Sequence, residues 1–119
     1  MNVRGVDFIY YEVSDIAKSK SFYCDILGLK VSSESEDQWI EFDLGNVTLG
    51  IGSYSQGGAG GSMAAFAVDN VSAAVEELKS KNVPVTMDPE DFPGCSMAVI
   101  TDPDGNKLML HTRKDGTTC

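Results

Sequence analysis

The sequence predicts an α+β fold built from two βαβββ modules within one domain. Three observations carry this: an internal repeat, a shared order of elements in the two copies, and a glycine-rich joint between them. One copy begins FIYYEVSDIAKSKSFYCDILGLKV and the other MAAFAVDNVSAAVEELKSKNVPV, about 55 residues further on. Val13-Ser14-Asp15-Ile16 aligns with Val68-Asp69-Asn70-Val71, and Leu29-Lys30-Val31 with Val83-Pro84-Val85. Each copy then runs into a turn and an alternating strand, LGNVTLGI or PDGNKLML. Between Ser53 and Ser62 the stretch SYSQGGAGGS is too rich in glycine to hold regular structure. Module one is therefore set at 3–53, the linker at 54–61 and module two at 62–113.

In module one, residues 6–13 alternate and are rich in aromatic and β-branched types, the pattern of a strand. Asp15 can cap the helix that follows, and Gly28 can end it in the left-handed conformation. Ile16, Tyr23, Ile26 and Leu27 would form its apolar stripe, with Phe22, Tyr23 and Cys24 in core packing. Strands are expected over Leu29–Ser33, Gln38–Asp43 and Val47–Ile51. In module two, Met63–Val68 reads as a strand and Asn70 as a cap. Val71, Ala74, Val75 and Leu78 fall at helical spacing, Glu77 stands four before Lys81, and Asn82 takes the stop position. Strands are expected near Val83–Met87, Met97–Thr101 and Lys107–His111. DPEDFPG reads as a loop before the second of these, and Asp102-Pro103-Asp104-Gly105 as a tight turn before the third.

Nine basic against eighteen acidic residues give a net charge of −9 with no basic cluster. Phosphate neutralisation needs clustered Lys and Arg, so nucleic acids and anionic membrane surfaces are poor candidates, and neither is expected as a partner. No apolar run approaches the roughly 20 residues of a membrane span, and the N-terminus lacks a signal-peptide pattern. Cys24, Cys95 and Cys119 have neither metal-type nor CxxC spacing and read as reduced thiols. A cytoplasmic protein is expected.

VSDIAKSKSFYCDILGLKV resembles the first-helix signature of the vicinal oxygen chelate superfamily, which includes glyoxalase I, bleomycin-resistance proteins and extradiol dioxygenases. DPDGNKLML resembles its closing hairpin. The resemblance implies that each module is a curved sheet with its helix on the convex side, and that the concave faces form an open barrel-like cleft, commonly with dimerisation. It also implies four metal ligands, usually His, Gln or Glu, two per module. Transferred to this chain, those positions are Phe8, Gly50 (Leu49 with a one-residue slip), Met63 and Met109. Phenyl and glycine offer no donor and methionine only a thioether, so no metal and no cofactor are expected. Glu12 and His111, both inward by alternation, would be the core of a relocated site, but two ligands make an incomplete set.

Strand alternation sorts the remaining candidates. Leu49 and Ile51, Phe66 and Val68, and Leu108 and Leu110 should pack under the helices. Phe8, Tyr10 and Glu12, Thr48 and Gly50, Met63, and Met109 and His111 should face the other way, with Trp39 and Glu41. The expected ligand-binding set is thus Phe8, Tyr10, Glu12, Trp39, Gly50, Met63, Met109 and His111, with no catalytic group. The partner would be a small hydrophobic or cationic aromatic molecule, an antibiotic being one such, and the assembly a homodimer, with or without exchanged modules. Two other roles stay open: an enzyme of glyoxalase or dioxygenase style with unorthodox ligands, and a degenerate interaction module closed by its own side chains.

Overall fold

The structure of the chain is a computed structural model that describes residues 1–35, 38–54 and 61–115. Most of the glycine-rich linker, and Cys119, lie outside the described residues. Contacts divide the chain into two units, Phe8–Ser62 and Met1–Asp7 with Met63–Cys119. The first strand, β1 (Val3–Glu12), contributes its early residues to one unit and its later residues to the other.

In the unit Phe8–Ser62, β2 (Val31–Ser35), β3 (Trp39–Asp43), β4 (Thr48–Gly52) and β1 form a sheet in the order β2-β3-β4-β1. β1 and β4 run parallel, with Phe8 opposite Thr48, Tyr10 opposite Gly50 and Glu12 opposite Gly52. A parallel pair needs a crossover, which the intervening helix supplies. Ile40, Phe42, Leu49 and Ile51 make the core, and Ile9, Val13, Ile16, Tyr23 and Cys24 pack against it. Helix α1 (Ile16–Ser21) begins where Asp15 Oδ1 accepts from the Lys18 amide at 3.0 Å.

The continuation of α1 departs from the expected stripe. Phe22–Ile26 form a π-helical turn, closed by the Leu27 amide donating to the Phe22 carbonyl at 3.1 Å. The wider turn moves the following side chains out of α-helical phase. Tyr23 still reaches the core, but Phe22, Ile26 and Leu27 are exposed, Ile26 at 72%. Gly28, with φ of +74°, then ends the helix as expected.

The second unit repeats the plan. β5 (Ser62–Val68), β6 (Val85–Asp91), β7 (Cys95–Thr101) and β8 (Lys107–Arg113) are ordered β5-β8-β7-β6, with β5 and β8 parallel. Helix α2 (Val71–Ser80) is capped by Asn70 and buries Val71, Ala74, Val75 and Leu78 against Val68, Ala98, Ile100 and Leu110. Glu77 pairs with Lys81 at 3.3 Å, and Asn82 takes φ of +63° after the helix. The segment expected as a loop, DPEDFPG, is instead strand through Asp91. β6 stands at the end of the sheet order and its register shifts between Met87 and Glu90, which accommodates Pro89 without a ladder hydrogen bond. Among the described residues, no helix is long and apolar enough to cross a membrane.

Candidate functional site

In the unit Phe8–Ser62, the face opposite the helix is an aromatic surface on a glycine floor. Ile40 and Phe42 point into the core, so the alternating Trp39 and Glu41 of β3 point the other way. β4 contributes Gly50 and Gly52 to that same side, leaving the strand bare where rings approach it. A Cβ on Gly50 would stand 2.7 and 2.8 Å from two indole carbons of Trp39, and one on Gly52 would stand 2.8 Å from both the Tyr10 hydroxyl and a ring carbon of Tyr54. Glycine in a strand interior suits such a close approach.

Four rings meet there. Tyr10 stacks on Trp39 with centroids 5.5 Å apart and planes 10° from parallel, Phe8 meets Trp39 edge-on at 5.7 Å, and Tyr54 is tilted 41° to it at 6.3 Å. Two carboxylates anchor their polar ends. The Trp39 indole N–H donates to Glu41 Oε2 at 2.7 Å, and the Tyr10 hydroxyl donates to Glu12 Oε1. Glu12 Oε2 also accepts from the Tyr54 backbone amide at 2.8 Å, while the Glu12 amide donates to the Gly61 carbonyl at 2.8 Å. Burial first, then the hydrogen bond to Glu12 and that carboxylate's charge, push the Tyr10 hydroxyl above its usual ionisation range.

The second unit holds the other candidates. Met109 and His111 of β8 lie opposite Ala65 and Ala67 of β5, on the face away from α2, and Met63 begins the same strand as those alanines. His111 is not solvated: at 5% exposure its Nδ1 lies 2.6 Å from Oδ2 of Asp7, which is fully buried. A buried carboxylate needs such a partner. Asp7 and Tyr54 were missed from sequence. Strict alternation sets Asp7 opposite in phase to Phe8, yet both are buried; the signal available was an acid in a run of aromatic and β-branched residues. Tyr54 sits at the edge of the glycine-rich stretch, where periodicity ends.

The residues at the four transferred ligand positions do not fit a metal. Phe8 is a buried ring in contact with Trp39, and Gly50 has an indole where a ligating side chain would begin. Leu49, the slipped alternative, belongs to the core on the helix side. Met63 and Met109 offer thioethers alone. Glu12 and His111 are each engaged by the partners just described. Among the described residues, no group of three or more His, Cys, Asp and Glu is placed to hold an ion.

Known proteins resemble this chain along nearly its whole length. The lactoylglutathione lyase of Salmonella typhimurium is 31% identical over 120 aligned residues, covering 87% of this chain and 88% of that protein. The metallothiol transferase FosB of Staphylococcus haemolyticus is 30% identical over 120, covering 92% and 84%. A methylmalonyl-CoA epimerase from Streptomyces coelicolor shares the fold with a TM-score of 0.74 at 17% identity, over 99% of this chain and 100% of its own. The family model described as glyoxalase/bleomycin resistance protein/dioxygenase superfamily matches residues 5–110, and the chain belongs to that superfamily.

Proposed function

We propose that this protein binds a small, flat, amphipathic molecule without a metal, by stacking it on the aromatic face built from Trp39, Tyr10 and Tyr54. The observation that carries the reading is the Trp39–Gly50 approach, which puts an aromatic ring at a position where the superfamily resemblance implies a metal ligand. Phe8 supports it at a second such position. The role is sequestration: apolar walls and a few polar anchors suffice, and no covalent step is needed.

Trp39 is the sole tryptophan, so its fluorescence reports on this face alone. A panel of cationic and neutral aromatic compounds is expected to quench it and to raise the melting temperature. Trp39→Ala should weaken binding by about 1–3 kcal/mol, the range for losing one stacking contact. No quenching by any member of the panel overturns the reading. The rival, a metal-dependent enzyme, draws on the names of the lyase and transferase relatives. One equivalent of zinc, nickel or iron in protein purified without chelator would favour the rival.

A further inference from the structure

We infer that this face accepts a cationic head on its ligand, and that the head is a fully alkylated ammonium, a quaternary group rather than a primary amine. The inference rests on the binding role proposed above and names the chemistry of its ligand. Three features of the aromatic face point to it. The carboxylates are turned toward the protein itself: Glu12 receives the Tyr10 hydroxyl on one oxygen and the Tyr54 amide on the other, and Glu41 receives the Trp39 indole N–H. A primary ammonium carries three N–H donors, each of which must regain an acceptor when it leaves water. Each carboxylate already spends part of its acceptor capacity on the protein and is held in place by those bonds, so the two replace that water incompletely. They still supply negative potential, which a quaternary ammonium feels without any hydrogen bond.

The rings supply the second feature. Quaternary ammonium groups bind against aromatic faces, with tryptophan the strongest of these, because the ring quadrupole is negative above its plane. Trp39 and Tyr54 are inclined by 41° and therefore diverge from their nearest edges, and Tyr54 is 56% exposed. A methylated nitrogen presents only C–H groups to such a wedge, at low desolvation cost. The third feature is rigidity. The polar ends of Trp39 and Tyr10 are both held by carboxylates, so neither ring must be ordered on binding.

The test compares three probes of similar size on the intact protein: benzyltrimethylammonium, benzylammonium and benzyl alcohol, titrated by Trp39 quenching and by calorimetry. The quaternary probe is expected to bind roughly tenfold tighter than either of the others, the scale of a desolvated cation–π contact. Glu41→Gln keeps an acceptor for the indole and should weaken the quaternary probe severalfold more than it weakens benzyl alcohol. Tyr54→Ala, at an exposed position, should weaken the quaternary probe without lowering the melting temperature. Equal affinity for benzyl alcohol overturns the inference, as does equal or tighter binding of benzylammonium, and both results leave stacking on the face intact. Failure of all three probes to bind overturns the inference together with the reading beneath it.

Discussion

The six-membered ring of Trp39 lies directly on Gly50, so close that a β-carbon there would come within 2.7 Å of it. Tyr10, opposite Gly50 in the parallel ladder, stacks on that indole. The glycine is the seat of the tryptophan.

Gly50→Ala should therefore unseat the indole. The neighbour that must yield is a rigid ring pinned at its nitrogen by Glu41 and held by Tyr10 and Phe8. Overpacking of this kind costs about 1–3 kcal/mol. The expected result is a lowered unfolding midpoint with a red-shifted Trp39 emission. A variant with unchanged emission and stability would show that the ring does not depend on the glycine.

Asp7 and His111 make a buried pair within one unit, joining β1 to β8. Removing one member takes this contact from a buried polar group, and breaking a buried pair costs about 3–5 kcal/mol. Asp7→Ala and His111→Ala should each destabilise on that scale. The double variant should cost clearly less than the sum of the two, measured by urea unfolding. Additive costs would show that the pair is not coupled.

Alternation and helical spacing were enough to read the fold and much of the aromatic face. Leu49 and Ile51 point to the helix side, and Trp39, Phe8 and Tyr10 meet on the other, because strand parity is a local property. Asp15, Asn70, Gly28 and Asn82 likewise declared their roles through cap and stop chemistry. What escaped was non-local or irregular. The π turn at Phe22–Ile26 has no sequence period of its own, so α-helical spacing points Ile26 and Leu27 inward where the structure exposes them. The strand through Pro89 depended on its place at the sheet edge. The contact of Asp7 with His111 spans 104 residues, and no local pattern encodes it.

The exposed side chains of Phe22, Ile26 and Leu27 bear on the homodimer that we propose. Exposed apolar side chains adjacent in sequence mark a surface that association would cover. Sedimentation at tens of micromolar is expected to give a dimer, and Ile26→Glu together with Leu27→Glu a monomer with unchanged circular dichroism. A wild-type monomer at that concentration counts against the assembly. A dimer that survives both substitutions places its interface elsewhere.

Tyr10 sets the alkaline limit of the aromatic face. Burial and the adjacent Glu12 carboxylate raise its ionisation in the folded protein above the unfolded value of about 10. The folded state thus holds the phenolic proton more tightly than the unfolded state does. Its contribution is present in full below pH about 10 and is lost as pH rises through the higher folded value. Stability should fall with pH in that window, and Tyr10→Phe should make the fall shallower. The slope should not vanish, because burial raises Tyr23 as well. At neutral pH the same substitution removes a hydrogen bond to a carboxylate, a loss of about 1.5–3 kcal/mol. Urea midpoints for wild type and Tyr10→Phe between neutral and strongly alkaline pH separate the two effects. Parallel curves, offset but equally steep, would show that Tyr10 titrates no differently in the folded chain.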